Sequence, residues 1–251
     1  MVLFGGLIKN LPTLSLLVFL AVWQVLAVYL HSNNLPTPQN VAIVFWQACV
    51  TGQIPFHLGI TLLRLIVSFS IAMLLGCAIG IALGRNKKLD AFFDNWLVIF
   101  LNIPALVTII LCYVWFGLTE SAAIFAVVIN KVPNVVVTIR EGVRALDQGL
   151  LEMAQSYRFG KRKTLVHVVW PQLFPYLMGV TRSGLALVWK IILVVELLGR
   201  SNGIGYQLHL FFQLFDVASI LAYTIAFVAV IQLLEIAVLK PLEKRAQHWR
   251  R

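Results

Sequence analysis

The sequence predicts an all-α membrane protein with six transmembrane helices, and three observations predict it. Of 251 residues, 60% are hydrophobic and only 12% charged, whereas a soluble domain carries about a quarter charged residues. Six apolar runs of about 20 residues are each long enough to cross a bilayer core of roughly 30 Å. Lys and Arg gather in alternate connections, as the positive-inside rule requires. Disorder, a disulfide scaffold and a coiled coil are excluded by the same composition. Cys49, Cys77 and Cys112 are scattered through apolar stretches with no C-x-x-C spacing, so they read as small core residues and not as a redox or zinc site.

The first run spans about Leu11 to Leu30 and stops at the polar stretch His31-Ser32-Asn33-Asn34-Leu35-Pro36-Thr37-Pro38. With only Lys9 before it and no small-residue cleavage site after it, it is expected to be a retained helix. Gln39 to Gly52, with Val41, Val44, Phe45 and Ala48 apolar, predicts a short amphipathic helix on the outer face, too short to cross. The second span is expected from His57 to Leu83 and the third from Trp96 to Phe116. A fourth follows the tight break at Gly117-Leu118-Thr119-Glu120, from Ser121 to Ile139. The fifth is expected from Pro175 to Leu198 and the sixth from Val217 to Leu239. Residues 1–56 then form an N-terminal transmembrane helix with its outer amphipathic segment, and 57–251 a transmembrane core containing a long loop, 140–171.

One set of flanks holds Lys9, Arg85, Lys87, Lys88, Arg140, Arg144, Arg158, Lys161, Arg162, Lys163, Lys240, Lys244, Arg245, Arg250 and Arg251, and the opposite set holds only Arg200. Fifteen against one places both termini in the cytoplasm. The net charge of +10 is therefore topology, and nucleic-acid binding is not needed to explain it.

About 35 residues separate the fourth and fifth spans, and long loops in compact proteins are usually functional. Leu150, Met153, Ala154 and Tyr157 fall at i, i+3, i+4 and i+7, one apolar face of a short helix. Glu152, Gln155 and Ser156 lie off that face. Gly160 is expected to break the helix before the Lys161-Arg162-Lys163 cluster. A solvated basic loop that only fixes topology is the plain reading; a docking element for a cytoplasmic partner is the sharper one.

Glu152-Met153-Ala154, followed by position 158 and, nine residues later, by Val168-Val169-Trp170-Pro171, resembles the E-A-A-x3-G-x9-I-x-L-P loop of binding-protein-dependent ABC importer permeases. Leu151 to Tyr157 looks like the L-E-x-A-x-S-x of the branch that imports nitrate, sulfonates and taurine. Val195-Glu196-Leu197-Leu198-Gly199 with Gly203-Ile204-Gly205-Tyr206, and Trp115-Phe116-Gly117, look like further motifs of that branch. The likeness covers roughly residues 57 to 250. It departs at Arg158, where the family usually has glycine and where Gly160 is expected to take over the turn, and at Met153 and Trp170. It departs again in the third span, where Asn102, Ala105 and Ile110 stand at positions often occupied by proline and only Pro104 remains.

The resemblance implies a type I ABC importer permease fold, six transmembrane helices with a cytoplasmic coupling helix, in the cytoplasmic (inner) membrane. It implies translocation of a small solute, expected to be an anion such as sulfonate, taurine, nitrate or bicarbonate. The implied partners are ATP-binding cassette ATPase subunits, a second permease chain as a homodimer, an extracytoplasmic substrate-binding protein and membrane lipid. ATP and Mg belong to the ATPase partner, and this chain is expected to hold no cofactor and to be no enzyme. Gly160-Lys161 lacks the earlier glycine and the following Ser or Thr of a phosphate loop. Leu150, Glu152, Ala154, Tyr157 and Gly160 are the expected coupling residues, with Glu152 making charge-assisted contacts while Leu150, Ala154 and Tyr157 enter a groove on the ATPase.

Intramembrane charges usually face a cavity or a partner. Arg182 and Lys190, eight residues apart on the fifth span, are candidates for the substrate pathway together with Asn102 and Pro104. Alternatively Arg182 snorkels and Lys190 pairs with Glu235 or Glu196. Glu196, Gly199, Gly203 and Gly205 are expected to hold the outer turn. Arg64 and Lys131 are weaker pathway candidates, and Pro133 is expected to kink the fourth span and free carbonyls for Lys131 or Asn134. A rival function rests on Asp90 and Asp94, a D-x-x-x-D that could hold Mg²⁺ in an intramembrane prenyltransferase-like enzyme. No second acidic cluster accompanies it, and both aspartates are expected to pair with Arg85, Lys87 or Lys88.

Overall fold

The structure, a computed structural model, describes residues 2–30, 32 and 34–241, the side chains of residues 2–10, 12, 13, 238 and 239 excepted. The side chain of Lys9, His31 and Asn33 of the polar stretch, and Lys244, Arg245, Arg250 and Arg251 lie outside the described residues. Eleven α-helices follow in order: α1 Val2–Leu30, α2 Pro38–Val50, α3 Gln53–Arg85, α4 Lys87–Asn102, α5 Ala105–Phe116, α6 Glu120–Arg144, α7 Gln148–Ser156, α8 Lys161–Thr164, α9 Trp170–Gly199, α10 Ile204–Gln213 and α11 Val217–Leu234. Leu165–Val169 and Glu235–Leu239 are π-helical turns.

Among the described residues, four helices are long and apolar enough to cross a membrane: α3, α6, the continuous helix Lys161–Gly199, and Val217–Ala237. The expected third span is different. It is two helices, α4 and α5, bent by 95°. The break has a local cause: proline excludes the helical region for the residue before it, and Ile103, just before Pro104, is extended (φ −70°, ψ 124°). Counted as one, the bent pair makes a fifth span. The expected first span falls in α1, whose described apolar part, Leu14–Leu30, is shorter.

Three other boundaries move. Gly52, at φ +80°, ends the linker after α2, so α3 starts at Gln53 and the division at 56/57 runs through its first turn. The long loop is shorter than 140–171, because α6 continues to Arg144 and helix resumes at Lys161. Pro171 and Pro175 both lie inside the continuous helix Lys161–Gly199. The π turn at Leu165–Val169 closes on wider hydrogen bonds directly before Pro171, and the chain passes that proline without leaving the helix.

The centre of the bundle is α6, 56% buried over its apolar window against 28% for the other three spans. It packs on α3 through a ladder of small residues. A Cβ on Gly76 would lie 2.5 Å from Val135 Cβ, one on Gly80 2.9 Å from Ile139 Cβ, and one on Gly84 2.6 Å from Val143 Cβ. The same step of four carries fully buried Ala72 and Ser68 on α3, and Lys131 and Val127 on α6. Both numberings rise together, so the two helices run parallel and touch at backbone distance, the packing that small residues permit in lipid. On the other side of α6, Gly142 accommodates the ring of Tyr176 on α9. α2 lays Phe45, Ala48 and Cys49 against a cluster of Ile54, Ile204, Tyr223, Ala226 and Phe227, which joins the N-terminal segment to α10 and α11.

Candidate functional site

At the basic end of the bundle stands α7. Asp147 caps it, its Oδ1 accepting from Leu150 N (3.2 Å), while Asp147 N donates to Gln172 Oε1 on α9 (2.8 Å). The helix closes in a Schellman arrangement: Phe159 N donates to Ala154 O (2.8 Å) and Arg158 N to Gln155 O (2.9 Å). The left-handed residue that this closure demands is Arg158, at φ +52°. Gly160 does not take over the turn; it is extended, at φ −66°, and caps α8.

The faces of α7 also differ from expectation. Ala154 is 1% exposed and points into the protein, and Leu151 packs against the buried cluster that includes Val143, Leu146 and Val169. Ala154 therefore cannot enter a partner's groove. Leu150 and Met153 are exposed, Tyr157 is 75% exposed, and Glu152 faces solvent. A short helix capped at both ends and tied to α9 at its start thus presents three apolar side chains and one carboxylate outward.

Behind α7 lies a cavity of about 710 Å³ bordered by Arg85, Lys87, Asp90, Arg144 and Gln148. The two aspartates of the D-x-x-x-D are engaged here, though not by the adjacent lysines and arginine. Arg140 Nη1 donates to Asp90 Oδ1 (3.0 Å) and Asp94 Oδ1 (2.6 Å), and Arg144 Nη2 donates to Asp90 Oδ2. The reason is reach: Arg140 and Arg144 are one turn apart on α6, facing two carboxylates one turn apart on α4. Carboxylates already neutralised by two guanidinium groups are poorly suited to a Mg²⁺-diphosphate.

The opposite end is closed by a buried polar clasp. Glu196, 0% exposed, accepts from Gly205 N (2.9 Å), Thr61 Oγ1 (2.9 Å) and Arg64 Nη1 (2.7 Å). Arg64 also donates to both oxygens of Glu120 (2.9 and 2.5 Å), to Asn202 O (2.9 Å) and to Asn202 Oδ1. Arg200 Nη2 reaches Glu120 from outside (2.7 Å). Thr61 Oγ1 accepts from Ile204 N (2.9 Å), and His57 Nδ1 accepts from Gly203 N (3.1 Å). Since Nδ1 accepts, the proton of the ring is on Nε2, which lies 2.6 Å from the Gln207 side-chain amide and donates to it when the amide oxygen is turned to the ring. Gly203, at φ +105°, lies so close to Glu196 that no side chain fits there. Gly199 makes room for the Tyr113 ring, whose hydroxyl donates to Val195 O (2.9 Å).

Between the ends, the expected pathway residues do not converge. Asn102 is exposed at the α4–α5 bend, its Nδ2 turned back to Val98 O (2.7 Å), and Pro104 begins α5. Arg182 lies 3.9 Å from Glu235, the acid considered for Lys190, and Glu196 belongs to Arg64; Lys190 is exposed on α9. Around Pro133, Asn134 Nδ2 donates to Asn130 O (3.5 Å) and Asn130 Nδ2 to Ala126 O (2.8 Å), while Lys131 runs across to α9 and takes no such carbonyl. The sequence reading missed the grouping of Arg64, Glu120, Thr61, His57 and Asn202 around Glu196. The available signal was that Arg64 and Glu196 are opposite charges near the same ends of their spans.

The described residues thus form a bundle of apolar helices with a short capped helix, α7, at its basic end. Residues 72–239 match the family described as binding-protein-dependent transport system inner membrane component, and the chain belongs to that family. Over 188 residues it is 31% identical to the protein named "Putative aliphatic sulfonates transport permease protein SsuC" of Escherichia coli (strain K12), covering 74% of this chain and 72% of that one. It is 26% identical over 242 residues to the taurine transport system permease protein TauC of the same organism, covering 94% and 88%. The fold matches a chain of the inward facing MetNI methionine ABC transporter with a TM-score of 0.63 at 17% identity, over 76% of this chain and 93% of that one. The chain is thus an ABC transporter permease, and the prenyltransferase alternative falls away.

Proposed function

We propose that the chain is the permease of an ATP-driven importer for a small anion, in the class of sulfonate, taurine, nitrate or bicarbonate, delivered by an external binding protein. Two copies form the pathway, ATP is hydrolysed on separate ATPase subunits, and both termini face the cytoplasm. The basic end is then the cytoplasmic end. The relatives named above are described as sulfonate and taurine transport permeases, which supports the substrate class.

The observation that carries the reading is α7: a capped helix whose outward face is Leu150, Met153, Tyr157 and Glu152 and whose inward face is Ala154. Leu150, Met153 and Tyr157 enter a groove on the ATPase, and Glu152 makes a charge-assisted contact there. The Asp147–Gln172 hydrogen bond holds the start of α7 to α9, so a displacement of α7 moves the spans. Gly160 acts only by starting the helix that leads into α9.

The test is Glu152→Lys in the complex purified from its native membrane and reconstituted in liposomes. Expected is a loss of anion uptake of about tenfold or more, the scale for reversing a charge-assisted contact, with the permease still in the membrane and weaker retention of the ATPase. Wild-type uptake and full ATPase retention in this variant would reject α7 as the coupling element.

A further inference from the structure

Lys131 stands where the packing of α6 calls for an aliphatic residue. The positions one and two turns along the ladder are Val127, Val135 and Ile139, all buried, and Lys131 itself is 1% exposed. Eleven residues into α6, it lies about 17 Å from the Glu120 end at roughly 1.5 Å per residue, the middle of an apolar layer about 30 Å thick. Its tail crosses to α9. A Cβ on Gly184 would lie 2.6 Å from Lys131 Cε, 2.8 Å from Nζ and 3.1 Å from the Phe69 ring, so Gly184, between buried Val180 and Val188, is the notch that receives the ammonium group.

No described acid balances it. Glu120 and Glu196 are held by Arg64, Asp90, Asp94 and Glu141 by Arg140 and Arg144, and Glu235 by Arg182. Asp147 and Asp216 cap helices, and Glu152 faces solvent. Among the described residues Lys131 has neither an ion pair nor a hydrogen bond. An unpaired cation in the middle of the membrane is unfavourable, and an apolar residue of similar volume would pack better. At such a site the amine is charged only while a counter-charge lies beside it, and no described acid supplies one.

We infer that Lys131 is the residue that meets the anionic group of the transported solute at mid-membrane, a specificity determinant for a compact oxyanion. The inference rests on the anion-importer reading above. Only van der Waals contacts join the end of Lys131 to α9, so parting α9 from α6 uncovers the ammonium without breaking a hydrogen bond. Arg182, exposed and facing Glu235, and exposed Lys190 lack this enclosure.

The experiment uses the complex with its ATPase and binding protein in liposomes, and radiolabelled taurine, butanesulfonate, nitrate and bicarbonate as probes. For whichever anion the wild type carries, Lys131→Met is expected to lower uptake at least about tenfold, the scale for removing a buried polar partner of a substrate. The melting temperature of the variant should be unchanged or higher, because an unpaired charge has been removed. Gly184→Ala, whose Cβ would press first on the flexible end of Lys131, should lower uptake as well. Wild-type uptake in Lys131→Met overturns the inference, as does a loss of uptake with a fall in melting temperature in both Lys131→Met and Lys131→Gln, which marks a structural lysine. Wild-type complex that carries none of the four anions overturns the anion reading together with this inference; anion uptake that survives Lys131→Met overturns the inference alone.

Discussion

Arg158 shows how much a single backbone angle decides. The closure of α7 needs a left-handed residue after Tyr157, and that conformation disfavours a side chain by about 1–2 kcal/mol relative to glycine. The family motif has glycine at this position; this chain keeps the turn with arginine at φ +52°. Arg158→Gly should therefore stabilise the protein by about 1 kcal/mol, read as a rise in melting temperature of the purified permease. Sequence alone pointed to Gly160 as the substitute because it is the nearest glycine, but the hydrogen bonds of Phe159 and Arg158 to Ala154 and Gln155 fix the turn two residues earlier. Ala154 was misread for a related reason. Periodicity identifies an apolar stripe without telling which part of it faces the protein, and α7 is apolar on two sides.

At the scale of elements, the apolar runs that form α3, α6, α9 and α11 were legible because twenty apolar residues have few alternatives in lipid. The α4–α5 break was not, since its apolar content is continuous; only the pairing of Ile103 with Pro104 marks it. The α3–α6 ladder was legible in principle, as Ser68, Ala72, Gly76, Gly80 and Gly84 recur every four residues, yet nothing in the spacing names the helix they meet. Gly76→Ala should destabilise by about 1–3 kcal/mol, the usual range for overpacking. Its new Cβ would meet the branched Cβ of Val135 at 2.5 Å, which sits on backbone and cannot swing away. Thermal unfolding in mild detergent measures this, and Gly59→Ala, where a Cβ would meet nothing within 4 Å, is the control.

Over the whole molecule, the long-range pairings were what the sequence could not supply. Arg64 and Glu196 are 132 residues apart, and Asp90 and Arg144 are 54 apart; which charge finds which depends on how the helices pack. Removing one member of a buried ion pair strands the other, and Arg64→Ala should cost about 3–5 kcal/mol. Arg64→Lys should recover only part of this, because a single ammonium cannot serve Glu120, Glu196 and Asn202 in one plane. Both are read from melting temperatures of the purified protein.

The clasp at one end joins α3, α6 and α9, while the arginine cluster at the other joins α4 to α6. Between them the helices touch almost wholly through hydrocarbon. The molecule resembles rods strapped at top and bottom, with a smooth shaft between the straps. Only α6 is held by both straps, so whatever α4 does at one end reaches α3 and α9 at the other through that single rod.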